Sequence, residues 1–296
     1  MDIEVSKYAG FCFGVERAIN LVKSAAKKKS KLYTFGPLIH NPQVVKNLED
    51  KGVKVINQLD KVEPNSTVVI RSHGVTKDYR KKLKQKNVDI LDATCPYVKT
   101  AQKKAQYLFN NGYKVIIYGE KKHPEVKAIH SYTNYEGVVI ENIDKIKIFD
   151  NVYKYGLVAQ TTRSKKQFSG LAARYVEHAK ECVVFKTICN ATFDRQQDAK
   201  KIAEKVDFMI VVGGKNSANT TKLYKIVKRI KPAEHIETAD EIDINAIKEY
   251  NRIGITAGAS TPEYLINDVI NKIKKIWILQ GGNIIWVKKI RIIMKK

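Results

Sequence analysis

Short apolar runs alternate with helical patterns along the whole chain. The apolar runs are rich in β-branched residues and are bounded by Gly, Asn or Ser, which is typical of buried strands. We predict strands at Leu32–Phe35, Val68–Ile70, Val115–Tyr118, Tyr155–Ala159, Phe208–Val212 and Arg252–Thr256. Helical patterns lie between them at Val15–Ala26, Val98–Leu108, Lys165–His178 and Asp194–Val206. Such alternation predicts parallel sheets with helical crossovers, in which ligands bind beyond the carboxyl ends of the strands.

A repeat of fixed spacing divides this pattern into thirds. Each third has a cysteine before a helical pattern, a glycine that closes the next strand 24 residues later, and a polar residue four positions further on. The cysteines are Cys12, Cys95 and Cys189, the glycines are Gly36, Gly119 and Gly213, and the polar residues are His40, His123 and Ser217. We therefore expect an α/β fold of three units related by pseudo-threefold symmetry, each with a small, mostly parallel sheet.

The expected units cover residues 1–94 with an N-terminal strand, 95–188 and 189–276, arranged around one shared centre. The tail, 277–296, has no counterpart in the repeat. Its Gly281-Gly282 pair lies between apolar runs. We expect a small hairpin there, packed on the outside of the last unit.

The composition excludes several classes of protein. Lysine and arginine exceed aspartate and glutamate by 54 to 30, but the lysines are spread evenly along the chain, so we expect no nucleic-acid partner. No apolar run reaches the roughly 18 residues of a membrane span, and the first residues do not form a signal peptide. We expect a cytoplasmic monomer with no membrane association. Its cysteines should stay reduced, because cytosolic thiols seldom form disulfides.

The three repeated cysteines are candidate metal ligands. A thiolate at a helix N-terminus has a lowered pKa, which favours ligation of a metal. Cys182 falls outside the repeat in an apolar run and is interpreted as a small core residue. A 4Fe–4S cluster that only transfers electrons normally has four cysteine ligands. Three ligands would leave one iron open for substrate.

The loops after the predicted strands carry candidate substrate ligands. Histidines suited to bind phosphate oxygens stand in three of them, and short hydroxyl or amide side chains stand in the others. These candidates are His40, His73, His123, Thr161, Ser217, Asn219 and Ser260. Several loops lead directly into helix N-termini, which bind anions. Glu125 follows His123 by two residues, and a low-dielectric environment would raise its pKa enough for proton donation.

Three classes of function remain compatible with these features. A reductase would need both a cluster and an electron donor. A non-redox iron–sulfur dehydratase would turn over substrate without a donor. A basic nucleic-acid-binding protein would need no iron and would bind with steep salt dependence.

The motifs taken together resemble the 4-hydroxy-3-methylbut-2-enyl diphosphate reductase family of the non-mevalonate isoprenoid pathway. The resemblance spans about residues 3–270 and is carried by many short motifs in order. They include Gly10-Phe-Cys12-x-Gly14, Ser72-His73-Gly74, Asp92-Ala-Thr-Cys95-Pro96, His123-Pro-Glu125, Gln160-Thr161-Thr162, Ile188-Cys189-x-Ala-Thr192-x-x-Arg195-Gln196 and Thr256-Ala-Gly-Ala-Ser260.

The resemblance implies that Cys12, Cys95 and Cys189 bind one 4Fe–4S cluster, whose open iron binds the substrate. It implies diphosphate binding by His40, His73, Ser217, Asn219 and Ser260, with His123 and Thr161 lining the same cavity. Glu125 would deliver the proton, and ferredoxin or flavodoxin would supply two electrons singly. The products would be isopentenyl and dimethylallyl diphosphate.

One position departs from the family pattern. The family usually has Ser-Ser-Asn where this chain has Ser217-Ala218-Asn219, so one hydroxyl is missing. The backbone amide of Ala218 can still donate to the diphosphate. We therefore expect weaker substrate binding rather than loss of function.

Overall fold

A computed structural model describes residues 2–28, 31–279 and 286–289. It starts with β1 (Asp2–Val5), α1 (Phe13–Ala26), β2 (Leu32–Phe35), α2 (Pro42–Glu49), β3 (Val53–Ile56), β4 (Ser66–Ile70), α3 (Lys77–Lys84) and β5 (Val88–Asp92). It continues with α4 (Pro96–Asn110), β6 (Lys114–Tyr118), α5 (Pro124–Ser131), β7 (Val138–Ile140), β8 (Lys154–Ala159), α6 (Lys165–Val176) and β9 (Glu181–Val184). The last third contains α7 (Asn190–Ala203), β10 (Phe208–Val212), α8 (Ala218–Val227), β11 (Ala233–Ile236), α9 (Ile244–Ile247), β12 (Arg252–Ala257), α10 (Glu263–Leu279) and β13 (Trp286–Lys289).

The predicted α/β class with three small parallel sheets is confirmed. The strand orders are β3-β2-β4-β5, β7-β6-β8-β9 and β11-β10-β12-β1-β13. Within the described chain every strand pair is parallel. The six predicted strands are β2, β4, β6, β8, β10 and β12, which form the central pair of each sheet.

The N-terminal strand departs from the sequence expectation. It was expected in the first unit, but β1 pairs with β12 in the last sheet. There it occupies the place that β5 and β9 occupy in the other two sheets. The chain thus closes the third sheet with its own first strand, so that all three sheets share one four-strand pattern.

The chain forms two compact units. One unit comprises Met1–Glu16, Ile39–Asn47 and Asn190–Lys296 and contains the five-stranded sheet. The other comprises Arg17–Leu38 and Leu48–Cys189 and contains both four-stranded sheets. The division at residues 94, 188 and 276 stays a prediction.

Burial of the central strands provides the hydrophobic cores. All residues of β4 and β10 are buried, and in each sheet apolar side chains of the central pair contact the flanking helices. Fully burying one such side chain stabilises the fold by about 1.5–3 kcal/mol. The cores hold the carboxyl ends of the strands, and therefore the loops that follow them, in place.

The tail differs from the hairpin expected there. Helix α10 extends to Leu279, and β13 pairs with β1 in parallel, whereas the strands of a hairpin are antiparallel. Gly281 and Gly282, the expected turn, lie outside the described residues. In the described part of the tail, β13 covers the outer edge of β1, whose backbone groups a parallel strand can satisfy.

No helix in the ranges described above has the length and apolar character needed to cross a membrane.

Helix α4 packs so closely on β8 that a side chain at Gly156 should lower the free energy of unfolding. A Cβ on Gly156 would lie 2.6 Å from Leu108 Cδ2, with two further Leu108 atoms within 2.9 Å. We expect Gly156→Ala to lower the free energy of unfolding by about 1–3 kcal/mol, because the core must shift to admit the methyl group. Urea unfolding followed by circular dichroism measures the change.

The matched control is Gly170→Ala in α6. Gly170 is exposed, and a Cβ there would meet no atom within 4 Å. This substitution should raise the free energy of unfolding by up to about 1 kcal/mol, because alanine favours a helix. Equal effects of the two substitutions would contradict the close approach of α4 to β8.

Candidate active site

The three repeated cysteines occupy equivalent places in the fold. Each follows the strand in the fourth position of its sheet and directly precedes a helix: Cys12 before α1, Cys95 before α4 and Cys189 before α7. All three are half-buried, and none of the four cysteines forms a disulfide. Soft thiolates at helix N-termini suit an iron–sulfur cluster, so this donor set fits the cofactor that the resemblance implies.

One backbone hydrogen bond recurs at all three cysteines. The N–H of Cys12 donates to the Ala259 carbonyl at 3.1 Å, that of Cys95 to Ser72 at 2.9 Å and that of Cys189 to Thr161 at 2.9 Å. Each acceptor lies in the loop after a central strand. The bond therefore ties each cysteine to one of the loops that carry the predicted substrate ligands.

A buried arginine supports the loop that leads to Cys12. Arg195 is 3% exposed, and its guanidinium donates to the carbonyls of Tyr8 at 2.9 Å and Gly10 at 2.8 Å. Gly10 has a φ of +103°, a backbone conformation that side chains other than glycine rarely adopt. Arg195 lies in one of the sequence motifs, but a charged side chain is normally expected at the surface. The sequence therefore predicted no role for it.

An ion-paired aspartate supports the loop that leads to Cys95. Asp92 accepts from the Thr94 N–H at 3.0 Å and pairs with Arg80 and Lys99. Burial raises the pKa of Asp92, but the hydrogen bonds from Thr94, Lys99 and Arg80 outweigh burial and hold that pKa well below its usual range. The carboxylate is therefore a fixed charge, and a structural one.

The predicted diphosphate ligands of the first compact unit lie on loops that contact one another. The hydroxyl of Ser260 donates to the His40 carbonyl at 3.1 Å. Ser217 caps α8 by accepting from the Thr220 N–H at 3.4 Å, and Ala218 is the first residue of that helix. Asn219 Nδ2 is buried and has no hydrogen-bond partner among the described residues. This loop end thus offers a helix N-terminus and an unused amide donor to an anion.

The predicted proton donor lies in the second compact unit. Glu125 is 2% exposed in the first turn of α5, whose N-cap is His123. The Thr161 N–H donates to Glu125 Oε1 at 2.6 Å, and the Thr161 hydroxyl contacts Glu125 Oε2 at 3.0 Å. The rings of His73 and His123 meet edge to face with centroids 5.5 Å apart. The structure thus brings Glu125 and Thr161 into direct contact, and His123 beside His73.

Burial makes Glu125 an acid that titrates near neutral pH. Loss of solvation raises the pKa of Glu125 from 4.5 to about 7, against two hydrogen bonds from Thr161 that lower it. A carboxyl with this pKa is partly protonated at neutral pH and can both hold and release a proton, as a general acid requires.

Cys182 lies apart from this arrangement. It stands in β9 and packs against the core that includes Tyr155 and Leu157. Partial burial raises the pKa of the Cys182 thiol, which disfavours the thiolate that binds metals.

Comparison with known proteins identifies close relatives over most of the chain. The LytB protein family matches residues 3–274. The 4-hydroxy-3-methylbut-2-enyl diphosphate reductase of Clostridioides difficile is 41% identical over 279 residues, which cover 93% of this chain and 100% of that protein. The reductase of the same name from Caldanaerobacter subterraneus subsp. tengcongensis is 44% identical over 281 residues, which cover 93% and 98%.

Two solved structures have the same fold. One is (E)-4-hydroxy-3-methyl-but-2-enyl diphosphate reductase, the terminal enzyme of the non-mevalonate pathway, with 41% identity, a TM-score of 0.75 and coverage of 93% of this chain and 99% of that one. The other is the E-1-hydroxy-2-methyl-but-2-enyl-4-diphosphate reductase from Plasmodium falciparum. It shows 30% identity, a TM-score of 0.83 and coverage of 92% and 87%.

The raised pKa of Glu125 predicts a specific dependence of stability on pH. Below about pH 4.5 both the folded and the unfolded chain hold the proton, whereas between pH 4.5 and about 7 only the folded chain does. The free energy of unfolding of the wild type, relative to Glu125→Gln, should therefore fall as pH rises through this window, by on the order of 3 kcal/mol. Urea unfolding at a series of pH values measures this difference.

Glutamine suits this test because its oxygen can accept from the Thr161 N–H while its amide donates to the Thr161 hydroxyl. Glu177→Gln, at an exposed carboxyl, is the control and should keep the wild-type profile. A constant difference between the wild type and Glu125→Gln across the window would contradict a raised pKa.

Proposed function

The chain belongs to the LytB protein family, and from this membership and the site we propose that it reduces an allylic diphosphate. The reaction is the reductive dehydroxylation of (E)-4-hydroxy-3-methylbut-2-enyl diphosphate to isopentenyl and dimethylallyl diphosphate. The carbon–oxygen bond of the hydroxyl breaks, two electrons and two protons enter, and water leaves. The observation that carries the proposal is the buried Glu125, whose pKa of about 7 suits it to supply a proton.

Cys12, Cys95 and Cys189 are the proposed ligands of one 4Fe–4S cluster. Their equivalent places before helices and their matched backbone hydrogen bonds support this assignment. When bound, the cluster supplies the electrons one at a time and offers an iron that lacks a protein ligand. The raised pKa of Cys182 supports leaving that thiol out.

The diphosphate is bound by side chains and backbone amides of the strand-end loops. The proposed ligands are His40, His73, Ser217, Ala218 through its N–H, Asn219 and Ser260, and His123 and Thr161 are further candidates. The partnerless Nδ2 of Asn219 and the N-terminus of α8 support the assignment, because both are donors that an anion can satisfy. Alanine at position 218 lacks the hydroxyl of the serine that the family usually has there. Binding of the diphosphate is therefore weaker than with serine by up to about 1.5–3 kcal/mol where no water replaces the hydroxyl.

Glu125 supplies the proton for the departing hydroxyl. The protonated carboxyl lies against the Thr161 hydroxyl, with Oε2 and Oγ1 3.0 Å apart, so a proton on Oε2 can pass to Oγ1 as Thr161 donates its own. The Thr161 N–H holds Oε1 and so fixes the orientation of the carboxyl group. The low-dielectric surroundings of Glu125 raise its pKa to about 7, so a large fraction of the carboxyl still holds a proton for the substrate at neutral pH.

The proposal includes an electron donor and a location. Ferredoxin and flavodoxin are acidic one-electron carriers, and the net charge of +24 favours docking of an acidic protein. The three thiolates must stay reduced to bind iron, which favours the cytoplasm.

Substitution of single cysteines tests the cluster assignment. Cys12→Ser, Cys95→Ser and Cys189→Ser should each lower activity more than about a hundredfold and lower iron content, because each removes a ligand. Cys182→Ser is the control and should keep near-normal activity. The assay is anaerobic, measures oxidation of a reduced dye on addition of substrate, and is paired with iron analysis, for which the wild type should hold about four irons.

Several outcomes would overturn the assignment. Activity that survives any of the first three changes, or is lost only with Cys182→Ser, would contradict the ligand set. Turnover of substrate without an electron donor would instead indicate a non-redox dehydratase.

Glu125→Gln tests the proton role. Removal of a general acid typically costs 10²- to 10⁴-fold, so we expect kcat to fall by at least about a hundredfold, with iron content and the visible spectrum unchanged. Stopped-flow oxidation of the reduced dye measures kcat. Near-normal turnover with an intact cluster would exclude Glu125 as the acid.

A further inference from the structure

Two glutamates contact their neighbouring loops through the same backbone hydrogen bond. Glu237 directly follows β11, and its Oε1 accepts from the Lys215 N–H at 2.6 Å. Glu141 directly follows β7, and its Oε1 accepts from the Lys121 N–H at 2.8 Å. Each lysine stands two residues after the glycine that closes a central strand. The two bonds therefore occupy equivalent places in two sheets, and neither glutamate belongs to the motifs discussed above.

Glu237 also reaches the first turn of α2, which directly follows the loop that carries His40. Its Oε2 accepts from Gln43 Nε2 at 3.4 Å, and Gln43 follows His40 by three residues. The loop with Lys215 touches the same segment at Gly214, where a Cβ would lie 3.3 Å from the His40 carbonyl oxygen. One carboxylate thus joins the loop that leads to Ser217 to the start of α2, directly after the loop that carries His40.

We propose that Glu237 is a positioning residue for diphosphate recognition, holding the loop that leads to Ser217 at a fixed separation from α2, the helix that follows the His40 loop. Glu141 has the corresponding role for the loop from Gly119 to His123, which leads to Glu125. The inference rests on the proposed function and adds to it two residues that need not touch the substrate.

The charge of Glu237 makes a direct role in binding a diphosphate unfavourable, because like charges repel. Its benefit must therefore come through the hydrogen bonds. The loop begins with Gly213 and Gly214, and glycine has the greatest backbone freedom. A hydrogen bond from Glu237 restricts the free loop, so the loop loses less conformational entropy when it binds an anion. The Lys215 ammonium forms an ion pair with Glu241, and the Glu241 carboxylate accepts from the Glu237 N–H at 3.0 Å, so Glu241 holds the same segment.

The first sheet offers an internal control. Asn57 directly follows β3, the place that corresponds to Glu237 and Glu141, and it is exposed. Its loop is held differently, because the Arg71 guanidinium lies over Gly36, where a Cβ would meet Nη1 at 2.7 Å. Asn57→Ala should therefore leave catalysis unchanged.

The test compares alanine and glutamine at position 237 in the anaerobic assay. Glu237→Ala should raise KM about three- to tenfold with little change in kcat, because a charge-assisted hydrogen bond to the loop is lost. Glu237→Gln should recover most of the wild-type KM. Its oxygen still accepts from the Lys215 N–H. After the Gln43 amide turns over, the amide of the new glutamine can donate to Gln43 Oε1, which is buried and has no partner in the described chain.

Glu141→Ala should affect kcat rather than KM, in contrast to Glu237→Ala. We expect kcat to be several-fold lower and KM nearly unchanged, because the loop that Glu141 contacts leads to the proton donor. For Glu237→Ala, a merely structural role would instead lower the active fraction with KM unchanged. For Glu141→Ala, a merely structural role would lower iron content and kcat in proportion, whereas a positioning role lowers kcat per bound iron. Thermal unfolding of each variant shows whether the fold is kept.

Binding of inorganic pyrophosphate gives a readout that does not depend on turnover. Isothermal titration of the anaerobically purified protein should show about three- to tenfold weaker binding for Glu237→Ala and wild-type binding for Asn57→Ala. An unchanged or tighter affinity of Glu237→Ala, or a Glu237→Gln variant as impaired as alanine, would overturn the inference. A wild type that binds pyrophosphate but does not reduce the allylic substrate would refute the proposed function alone.

Discussion

The backbone hydrogen bond from each repeated cysteine to the loop of a neighbouring central strand is the constraint on which the site depends. In a parallel sheet all carboxyl ends lie at one edge, so a residue after one strand can reach the loop after the next. The bonds from Cys12 to Ala259, Cys95 to Ser72 and Cys189 to Thr161 use this geometry three times. They connect the backbone of each cysteine to a loop proposed to bind substrate.

Two acidic side chains lose solvation on folding but have different roles, one structural and one chemical. Asp92 and Glu125 both lose solvation on folding, which raises the pKa of each. Asp92 receives donors from Thr94, Lys99 and Arg80, and these overcome burial and keep it charged. Among the described residues, only Thr161 donates hydrogen bonds that lower the pKa of Glu125. Burial therefore prevails and raises that pKa to about 7. The cations beside Asp92 and the deeper burial of Glu125 decide which carboxyl stays ionised and which one can transfer a proton.

Much of the fold could be predicted from hydrophobic pattern, but the edge strands could not. The central strands are buried on both faces and read as continuous apolar runs, whereas β5 and β11 carry polar residues because they are only partly buried. The place of β1 beside β12 could not be predicted for a different reason. Pairing between the two ends of the chain leaves no local pattern in the sequence. The parallel pairing of β13 with β1, where a hairpin was expected, has the same cause.

The sequence by itself determined the α/β class, the threefold spacing of Cys12, Cys95 and Cys189, and the loops that carry candidate ligands. These follow from local composition and periodicity, which the chain displays before it folds. Only the tertiary structure decided that Glu125 contacts Thr161, that Arg195 is buried against the loop before Cys12, and that Glu237 joins the Lys215 loop to α2. Each of these contacts joins residues far apart in the chain, and their burial and pKa exist only once the strands have assembled.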